Sequence, residues 1–510
     1  MAGISHQEIE AKWQKKWLEA GLGKVNVGDK SKPSFFMHFA YPTVSGYQHV
    51  GHMRGYSYTD MVCRYKRMAG HNVFFPVGSH ASGNAMLGFA KKIERNDQKF
   101  IDYLLSNGYP KEKLNDMKNA NKAVDYFNEN YKQNWKIMGF IPDFDSFTCT
   151  TYPDYGKFIE WQFRKLKDKG LLIQQPYFAT FCPNCGPVSV DPAEMDVSKG
   201  GSAEKHEYTL IKFRFEKDGQ YIIAATLRPE TMYGQTNLWV DPNVEYVKAK
   251  VGGEIWVCSA QCAEKLKNQK EKAEVVGKIK GAEMLGKKAH APSVERDILI
   301  LPSKFCDPAV GTGIVTSVPS DAPYDWMALY DLQRNEPECR KYGINPAEVK
   351  ALKPIPIIES KDYGNLPAVK ICEQMKIKDQ NDPKLEEATK LIYKTGFHTG
   401  VLNGSCGEYA GQAVERAKES MKQKLIDASQ ADVMYDLSEE VICRCGKPVT
   451  IKIVPDQWFI NYADRQVTKD SKEHAETMNI MPDDYKRNMP GVLDWFKERA
   501  ATRLGNWLGT

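Results

Sequence analysis

Four of the twelve cysteines form two tight pairs, Cys182-Pro-Asn-Cys185 and Cys443-Arg-Cys445, and a glycine follows each pair. The glycine lets the backbone curl so that its amides can face the sulfurs. Four thiolates suit a tetrahedral zinc ion, and the first pair has a common zinc-knuckle spacing. The second pair is tighter and less typical, so a degenerate knuckle or reduced thiols without metal is the alternative. If one zinc joins both pairs, residues 182 and 445 lie side by side, and the chain between them is an inserted domain.

A second group of residues with chemical potential is His49-Val50-Gly51-His52, which begins a helical segment directly after an apolar run and a turn. Helix amino termini attract anions, and two histidines three residues apart share one helix face. A glycine here allows a ligand to approach closely. The segment predicts a site for the phosphates of ATP. The alternative is a pair of histidines that only satisfies a turn.

The elements around these histidines must position them. An apolar run from Phe35 to Ala40, a helical stretch from about Val50 to Met68 and a second apolar run from Asn72 to Val77 predict a strand-helix-strand unit. Such units have parallel strands, and their ligands bind at the carboxyl ends of the strands. The loops YPTVSGYQHVGH and GSHASGN, which follow the two strands, are therefore expected to face the ligand.

Other segments predict the surroundings of this unit. A helix near the start is expected to dock by an aromatic stripe that includes Trp13 and Trp17. Residues 95–140 are polar and helical in pattern and predict a surface insertion. Residues 158–170 predict a helix of the core domain with one apolar face. Beyond about residue 204, strand-like segments separated by Gly and Pro predict a separate domain with a largely β core.

The bulk composition restricts the function classes. With 510 residues, 42% of them hydrophobic, the chain should form two to four domains. A net charge of +5 without a basic tail permits a nucleic-acid partner but does not demand one. No apolar stretch approaches the roughly 18 residues that span a bilayer, and the start lacks a secretory profile. We expect a cytoplasmic protein with no membrane partner, in which cysteines do not form a disulfide framework.

Several segments resemble a known family. AYPTVSGYQHVGH is similar to the first signature of class I aminoacyl-tRNA synthetases. The rest resembles the leucine-specific members of archaeal and eukaryotic type, over nearly all 510 residues and in the family's order. The segments that carry this likeness are MGFIPDFDSFTCTTYPDYGKFIEWQFRKLKDKGLL, CPNCGPVSVDPAE, ATLRPETMYGQTNLWVDP, GTGIVTSVPSDAPYDW, DQWFINYAD and DWFKERAATRLG. Departures from the family pattern are Ala40 for a usual proline, Gln48 for a usual leucine and SGNA for a usual TG-x-P.

The resemblance implies an α/β fold, in which a Rossmann-type parallel-sheet catalytic half-domain carries an inserted β-rich editing domain on a zinc-bearing stalk. The implied domains are the first half of the catalytic domain at residues 1–175, the zinc element at 176–203, the editing domain at 204–437, the second zinc segment at 438–455 and the catalytic return at 456–510.

The same resemblance implies roles for individual residues. His49 and His52 would contact the phosphates of ATP, supplied with magnesium, and Gly51 would make room for the nucleotide. Tyr41 and His80 would line the leucine pocket. In the editing site Asp325 would hold the α-ammonium of a misattached amino acid, with Asp321 as the rival carboxylate, and Thr231 would exclude leucine. The implied editing residues are Thr226, Arg228, Thr231, Val318 and Asp325, and the implied zinc ligands are Cys182, Cys185, Cys443 and Cys445.

The implied activity is that of a leucine-tRNA ligase with hydrolytic proofreading, whose partners are tRNA(Leu), leucine and ATP. No KMSKS signature and no anticodon-binding domain occur in the sequence. We therefore expect a truncated product or a second chain that supplies the remainder, and poor leucine activation by this chain alone. The alternatives are a valyl- or isoleucyl-tRNA synthetase, a stand-alone deacylase that clears mischarged tRNA, and a non-catalytic tRNA-binding scaffold. TNLWVDP and DAPYDW favour leucine, and the near-neutral charge disfavours the scaffold.

Overall fold

The computed structural model describes residues 5–188, 203–216, 219–270, 272–292, 294–443, 445–502 and 507–509. The chain forms two compact units. The first contains residues 1–202, 440–449 and 454–510, and the second contains residues 203–439 and 450–453. Within the described portions of the chain, no helix is both long and apolar enough to span a bilayer.

The amino-terminal portion of the first unit alternates helices with short parallel strands. Its elements are α1 (His6–Glu19), β1 (Ser34–Phe36), α2 (Val50–Met68), β2 (Asn72–Phe74), β3 (Pro76–Ser79), α3 (Ala85–Glu94), α4 (Gln98–Ser106), a 3-10 helix (Lys111–Lys118), α5 (Ala120–Ile137), β4 (Asp143–Cys149), α6 (Pro153–Asp168), β5 (Leu172–Cys182) and β6 (Gly186–Pro187). β1 pairs in parallel with β2, and β3 pairs in parallel with β4. This arrangement confirms the predicted strand-helix-strand unit and its α/β class.

The core of the first unit forms where α2, α3 and α5 pack around these strands. Phe75, Phe127, Tyr131 and Trp135 are among its fully buried side chains. Three of them lie on α5, so the prediction that residues 95–140 form a surface insertion is wrong in placement, although it is right about helices. The polar residues of α5 dominate its composition and conceal the apolar stripe at positions 124, 127, 131 and 135.

The structure also corrects two predicted packing faces. α1 forms as expected, but Ile9 and Trp13 are 44% and 46% exposed, and the helix has no buried residue. Trp17 of the same stripe does contact α2, because the Arg64 guanidinium lies 4.7 Å from its ring centroid. α6 forms as well, yet Phe158 and Trp161 are more than half exposed. Helical periodicity identified both helices but not whether their apolar faces are covered.

The second unit joins a large sheet to a group of helices. Its elements are β7 (Lys205–Arg214), β8 (Gln220–Thr226), a 3-10 helix (Pro229–Gly234), β9 (Asn237–Val240), β10 (Glu245–Val251), β11 (Glu254–Cys258), α7 (Ala260–Gln269), β12 (Glu274–Lys280), α8 (Gly281–Met284), β13 (Lys288–Ala291), β14 (Arg296–Pro302), β15 (Val315–Ser317), α9 (Pro323–Arg334), α10 (Glu336–Lys341), α11 (Pro346–Ala351), β16 (Ile358–Glu359), α12 (Pro367–Gln374), α13 (Lys384–Thr399), β17 (Val401–Leu402), a 3-10 helix (Gly404–Tyr409), α14 (Val414–Asp427) and β18 (Ala431–Leu437).

The sheet of the second unit has ten strands in the order β12-β10-β11-β8-β7-β13-β14-β9-β15, and β18 pairs with β7 off this path. β9 lies between β14 and β15, and all four of its residues are buried. The large side chains of Phe213, Trp239 and Tyr246 fill the core around it. The sheet confirms the largely β core expected beyond residue 204. Strand β8 of this sheet fixes the chain before the 3-10 helix Pro229–Gly234, and strand β15 fixes the chain before helix α9.

The chain then returns through β19 (Thr450–Asn461), α15 (Arg465–Thr477), α16 (Asp483–Trp495) and β20 (Glu498–Ala500). β19 and β20 extend a four-stranded sheet of order β20-β19-β5-β6. Consequently β5, which ends at Cys182, shares a sheet with a strand that follows the second cysteine pair in sequence.

Candidate functional site

His49 and His52 together cap the amino terminus of α2. The backbone N–H of His49 donates to Nδ1 of His52 (3.3 Å), and the N–H of Gly51 donates to Nδ1 of His49 (3.1 Å). The ring centroids are 4.1 Å apart. Because each Nδ1 accepts a hydrogen bond, each neutral ring carries its proton on Nε2. Burial lowers the pKa of His52, and the neighbouring His49 lowers it further.

The position of the His49 ring requires a glycine at position 51. A Cβ at position 51 would lie 2.8 Å from Cε1 and 2.9 Å from Nδ1 of the His49 ring. A real Cβ atom essentially never makes contacts this short, so any other residue would displace the ring. The sequence predicted that Gly51 makes room for a nucleotide, and the structure gives the glycine this additional reason.

The two loops predicted to face a ligand lie together. The N–H of Val44 donates to the carbonyl of His80 (2.8 Å), and the N–H of His80 donates to the carbonyl of Pro42 (2.9 Å). The ring of Tyr41 lies over Gly78, where a Cβ would approach it to 2.7 Å. Tyr41 and His80 thus lie on neighbouring segments of the first unit, five residues after the end of β1 and directly after β3. The side chain of His80 is exposed.

Sequence reasoning missed a third segment at this edge. Gly83 and Leu508 exchange two backbone hydrogen bonds of 3.0 Å, so the segment around Leu508 lies against the loop that follows β3. A Cβ at Gly83, whose φ is +113°, would lie 3.6 Å from the Trp507 ring. No local pattern in the sequence indicates a pairing between residues so far apart.

The four paired cysteines converge within the first unit. Their sulfurs all lie within 4.8 Å of one another. Cys182 Sγ is 3.3 Å from Cys445 Sγ, and Cys443 Sγ is 3.8 Å from Cys185 Sγ. Ligands about 2.3 Å from a tetrahedral zinc lie about 3.8 Å apart, so the donor set fits that ion. Pro187 and Val188 are the last described residues after the first pair, and the remainder of CPNCGPVSVDPAE lies outside the described residues.

The thiols of this cluster differ in acidity. Burial raises the pKa of Cys185 to about 12, and a hydrogen bond with Cys445 adds to the effect. Burial also disfavours the thiolate of Cys445, but hydrogen bonds from the Cys182 thiol and the Lys447 backbone lower its pKa to about 7.

The predicted editing residues come together within the second unit. The N–H of Arg228 donates to Thr226 Oγ1 (3.0 Å), and Thr231 Oγ1 donates to the carbonyl of Arg228 (2.8 Å). Arg228 also pairs with Glu230 (3.2 Å) and donates to the carbonyl of Asp321 (3.2 Å). Thr231 is 6% exposed. Both threonines are thus fixed by the backbone of the loop that carries them.

Asp325 lies in the first turn of α9 and is held on both oxygens. Its Oδ2 accepts from the N–H of Val318 (2.8 Å), and its Oδ1 accepts from the indole N–H of Trp239 (3.1 Å). Burial raises the pKa of Asp325 to about 7, against the opposing effect of the Val318 and Trp239 hydrogen bonds and of Arg228. The carboxylate is therefore oriented, desolvated and poised between its two protonation states near neutral pH.

Asp321, the rival carboxylate, lies in the same loop and is buried. Its Oδ2 accepts from the Ser320 hydroxyl (2.5 Å). Burial raises the pKa of Asp321 to about 6, although the Arg228 guanidinium opposes this. Tyr393 of α13 completes the cluster, because the Arg228 guanidinium lies 4.4 Å from its ring centroid. Neither Trp239 nor Tyr393 was predicted as a site residue, since an aromatic residue in an apolar segment gives no local signal of a polar role.

The comparisons with known proteins cover nearly the whole chain. The family model described as tRNA synthetases class I (I, L, M and V) matches residues 12–507. The chain belongs to this family of class I tRNA synthetases. The leucine-tRNA ligase of Methanocaldococcus jannaschii is 40% identical over 99% of this chain and 53% of its own length. That of Pyrococcus horikoshii is 38% identical over 99% of this chain and 53% of its own length.

This class I synthetase chain therefore spans about half the length of the curated relatives it matches. Among solved structures, the crystal structure of GlLeuRS-CP1 covers 45% of this chain and 98% of its own, with 32% identity and a TM-score of 0.41. The editing domain of the P. falciparum cytosolic leucyl-tRNA synthetase covers 45% of this chain and 99% of its own, with 22% identity and a TM-score of 0.41.

Proposed function

We propose that this class I synthetase chain belongs to a leucine-tRNA ligase, in which it carries a portion of the leucine activation site and a complete hydrolytic proofreading site. The observation that carries the proposal is the buried cluster of Asp325, Arg228 and Thr231, in a chain 40% identical to leucine-tRNA ligases over 99% of its length. The partners are leucine, ATP with magnesium as substrate, and tRNA(Leu). The protein acts in the cytoplasm. A part that corresponds to the remaining length of the relatives, in the same or another chain, supplies the rest of the activation site.

In activation, the two histidines contact the phosphates of ATP. Their Nδ1 atoms are occupied by backbone N–H groups, so their Nε2–H groups donate to phosphate oxygens. The positive end of the α2 helix dipole adds to this attraction. Tyr41 and His80, on neighbouring segments of the first unit, line the leucine side of the site. Leucine carboxylate attacks the α-phosphate, which releases pyrophosphate and leaves leucyl adenylate.

In proofreading, Asp325 pairs with the free α-ammonium of a wrongly attached amino acid, since each of its oxygens retains a lone pair. Water attacks the ester carbonyl, the bond to the ribose oxygen breaks, and that oxygen takes up a proton. Thr226 Oγ1 accepts from the N–H of Arg228, so its own hydroxyl hydrogen is available to orient the water or the ribose. Thr231, stiff because it is β-branched and tied to Arg228, blocks the longer leucine side chain.

The domain organisation follows from this assignment. We assign residues 1–175 and 456–510 to a Rossmann-type catalytic half-domain and residues 204–437 to the inserted editing domain. Residues 176–203 and 438–455 form the stalk between them. The compact second unit, which takes up residues 203–439 and 450–453, supports the bounds of the editing domain.

A zinc ion held by Cys182, Cys185, Cys443 and Cys445 would close the base of this stalk. Four thiolates leave no open coordination position, so the metal would have a structural role. Elemental analysis should find about one equivalent of zinc per chain, and Cys182→Ser should reduce it to a small fraction. Cys63→Ser, a change at a buried thiol of the same unit outside the cluster, should leave the zinc content intact. Unchanged zinc in Cys182→Ser would refute a site shared by both pairs.

The proposed function is tested by the selectivity of hydrolysis. The chain should release valine from tRNA(Leu) mischarged with valine, and should release leucine from correctly charged tRNA(Leu) at least about tenfold more slowly. Equal hydrolysis of both esters would contradict proofreading. Preferential hydrolysis of valine from mischarged tRNA(Ile) would instead favour an isoleucine-specific synthetase.

A further inference from the structure

Trp239 connects the central sheet of the second unit to the proposed proofreading carboxylate. It lies on β9 opposite Leu301 of β14 and Val315 of β15, and it is fully buried. Its indole N–H donates to Asp325 Oδ1 at 3.1 Å. The ring also makes an edge contact with Phe305, 5.9 Å between centroids. The indole is therefore held by rigid neighbours on both sides, and its only polar atom points at Asp325.

We propose that Trp239 is a positioning residue for proofreading, whose indole N–H holds the Asp325 carboxylate in the orientation that receives the α-ammonium of the misattached amino acid. The inference rests on the proposed function. Two donors from different elements, Trp239 on β9 and Val318 after β15, each occupy one oxygen of Asp325. A carboxylate held at both oxygens cannot rotate, and its remaining lone pairs point in fixed directions.

The same hydrogen bond also favours the ionised form of the carboxylate. The titratable or charged groups that face Asp325 are Arg228, Cys306 and Tyr393. Burial raises the pKa of Asp325 to about 7, and the Trp239 N–H is one of the groups that lowers it. Loss of this donor should raise the pKa further. A rise of about one unit would reduce the ionised fraction at pH 7 from about a half to about a tenth, by the ordinary titration relation.

The decisive variant is Trp239→Phe, which keeps an aromatic ring and removes the donor. Its matched control is Trp256→Phe, because Trp256 is equally buried in the same unit and donates to a different carboxylate, Glu254, at 2.7 Å. At pH 7, Trp239→Phe should hydrolyse valyl-tRNA(Leu) about tenfold more slowly, mainly through a higher KM, since ammonium binding is weakened. Its pH-rate profile should be shifted to higher pH relative to the wild type over the range from about 6 to 7.5, in which the α-ammonium of the substrate is still largely protonated. Trp256→Phe should follow the wild-type profile.

Asp325→Asn and the double variant separate the possible failures. In the Asp325→Asn background, Trp239→Phe should cause little additional loss, because the group on which it acts is gone. If the wild type does not hydrolyse valyl-tRNA(Leu), the proposed function itself is wrong, and if Asp325→Asn hydrolyses it like the wild type, the proposed role of Asp325 is wrong. If Asp325→Asn is inactive but Trp239→Phe matches Trp256→Phe in rate, KM and pH profile, the positioning role alone is wrong.

A replacement that is closer in shape to tryptophan avoids a variant that fails to fold. Benzothienylalanine at position 239 keeps the shape of indole and replaces its N–H with sulfur. It should reproduce the upward shift of the pH profile with a thermal melting temperature near that of the wild type. A wild-type profile in this protein would overturn the role of the N–H.

Discussion

The two proposed sites of this chain differ in how exposed their polar side chains are and in how firmly these side chains are held when no ligand is bound. At the start of α2, His49 and His52 accept hydrogen bonds from backbone groups of their own turn, and His49 is exposed. At the start of α9, Asp325 is 5% exposed and held by Trp239 and Val318. A triphosphate brings its own charges and can organise exposed donors around it. A small ester that must be distinguished by one methylene group needs a site that is already rigid.

This difference has a thermodynamic counterpart. A buried carboxylate with a pKa near 7 binds a proton in the folded protein that it would not bind when unfolded, where its pKa is about 4. The ionised form is therefore destabilising in the folded state, and the contribution of Asp325 to stability falls as the pH rises from about 4 to about 7. In the proposed function, the α-ammonium of the misattached amino acid compensates this desolvated charge.

A large effect on selectivity is expected at Thr231 of the proposed proofreading site. Thr231→Ala should remove the obstacle to the leucine side chain, so hydrolysis of leucyl-tRNA(Leu) should rise by about tenfold or more, as loss of steric discrimination over one or two carbons allows. Hydrolysis of valyl-tRNA(Leu) should change little. The two esters are compared by single-turnover deacylation with the wild type and the variant.

Two controls decide whether shape or hydroxyl matters. Thr231→Val keeps the branched shape without the hydroxyl and should still spare leucine. Thr236→Ala alters another buried threonine of the same unit, whose hydroxyl donates to Asn237 (2.8 Å), and should leave selectivity unchanged. Leucyl-tRNA that remains intact with Thr231→Ala would mean that another residue excludes leucine.

A smaller effect is expected at Gly51, because a substitution there would displace only the imidazole ring of His49. Gly51→Ala should push His49 from its backbone hydrogen bond and weaken ATP binding by about threefold to tenfold, the value of roughly one hydrogen bond. Isothermal titration with ATP measures this. Gly491→Ala adds a methyl group in open space and should bind ATP like the wild type. Equal affinities for both variants would show that the His49 orientation is not needed.

The sequence predicted best those features that are local. The bounds of α2, the placement of His49 and His52 at its start and the convergence of the cysteine pairs all follow from short-range spacing or metal chemistry. The β-rich segment beyond residue 204 followed from its alternating apolar residues. Of these features, only the convergence of the cysteine pairs joins distant segments, and it was predicted from the number of ligands that a tetrahedral metal needs.

The features that sequence reasoning missed depend on distant packing. α5 is buried because three aromatic side chains fit the core, although its polar residues suggest a surface. α1 and α6 carry apolar faces that the described chain leaves exposed. Trp239 acquires a polar role only because β9 passes beside α9, 86 positions later in the chain. Periodicity reports which face of an element is apolar, not what lies against that face.

Two chemically independent sites on one chain should be separable by two variants measured in two assays. Asp325→Asn should slow hydrolysis of valyl-tRNA(Leu) by about 10²-fold or more, as loss of an oriented charged group does, and should leave the affinity for ATP unchanged. His52→Ala should weaken ATP binding by about tenfold and leave hydrolysis unchanged. His38→Ala, at an exposed histidine of the first unit, controls for loss of an imidazole. Each variant should lose one function only, and loss of both functions in either variant, with the fold intact, would contradict the independence of the two sites.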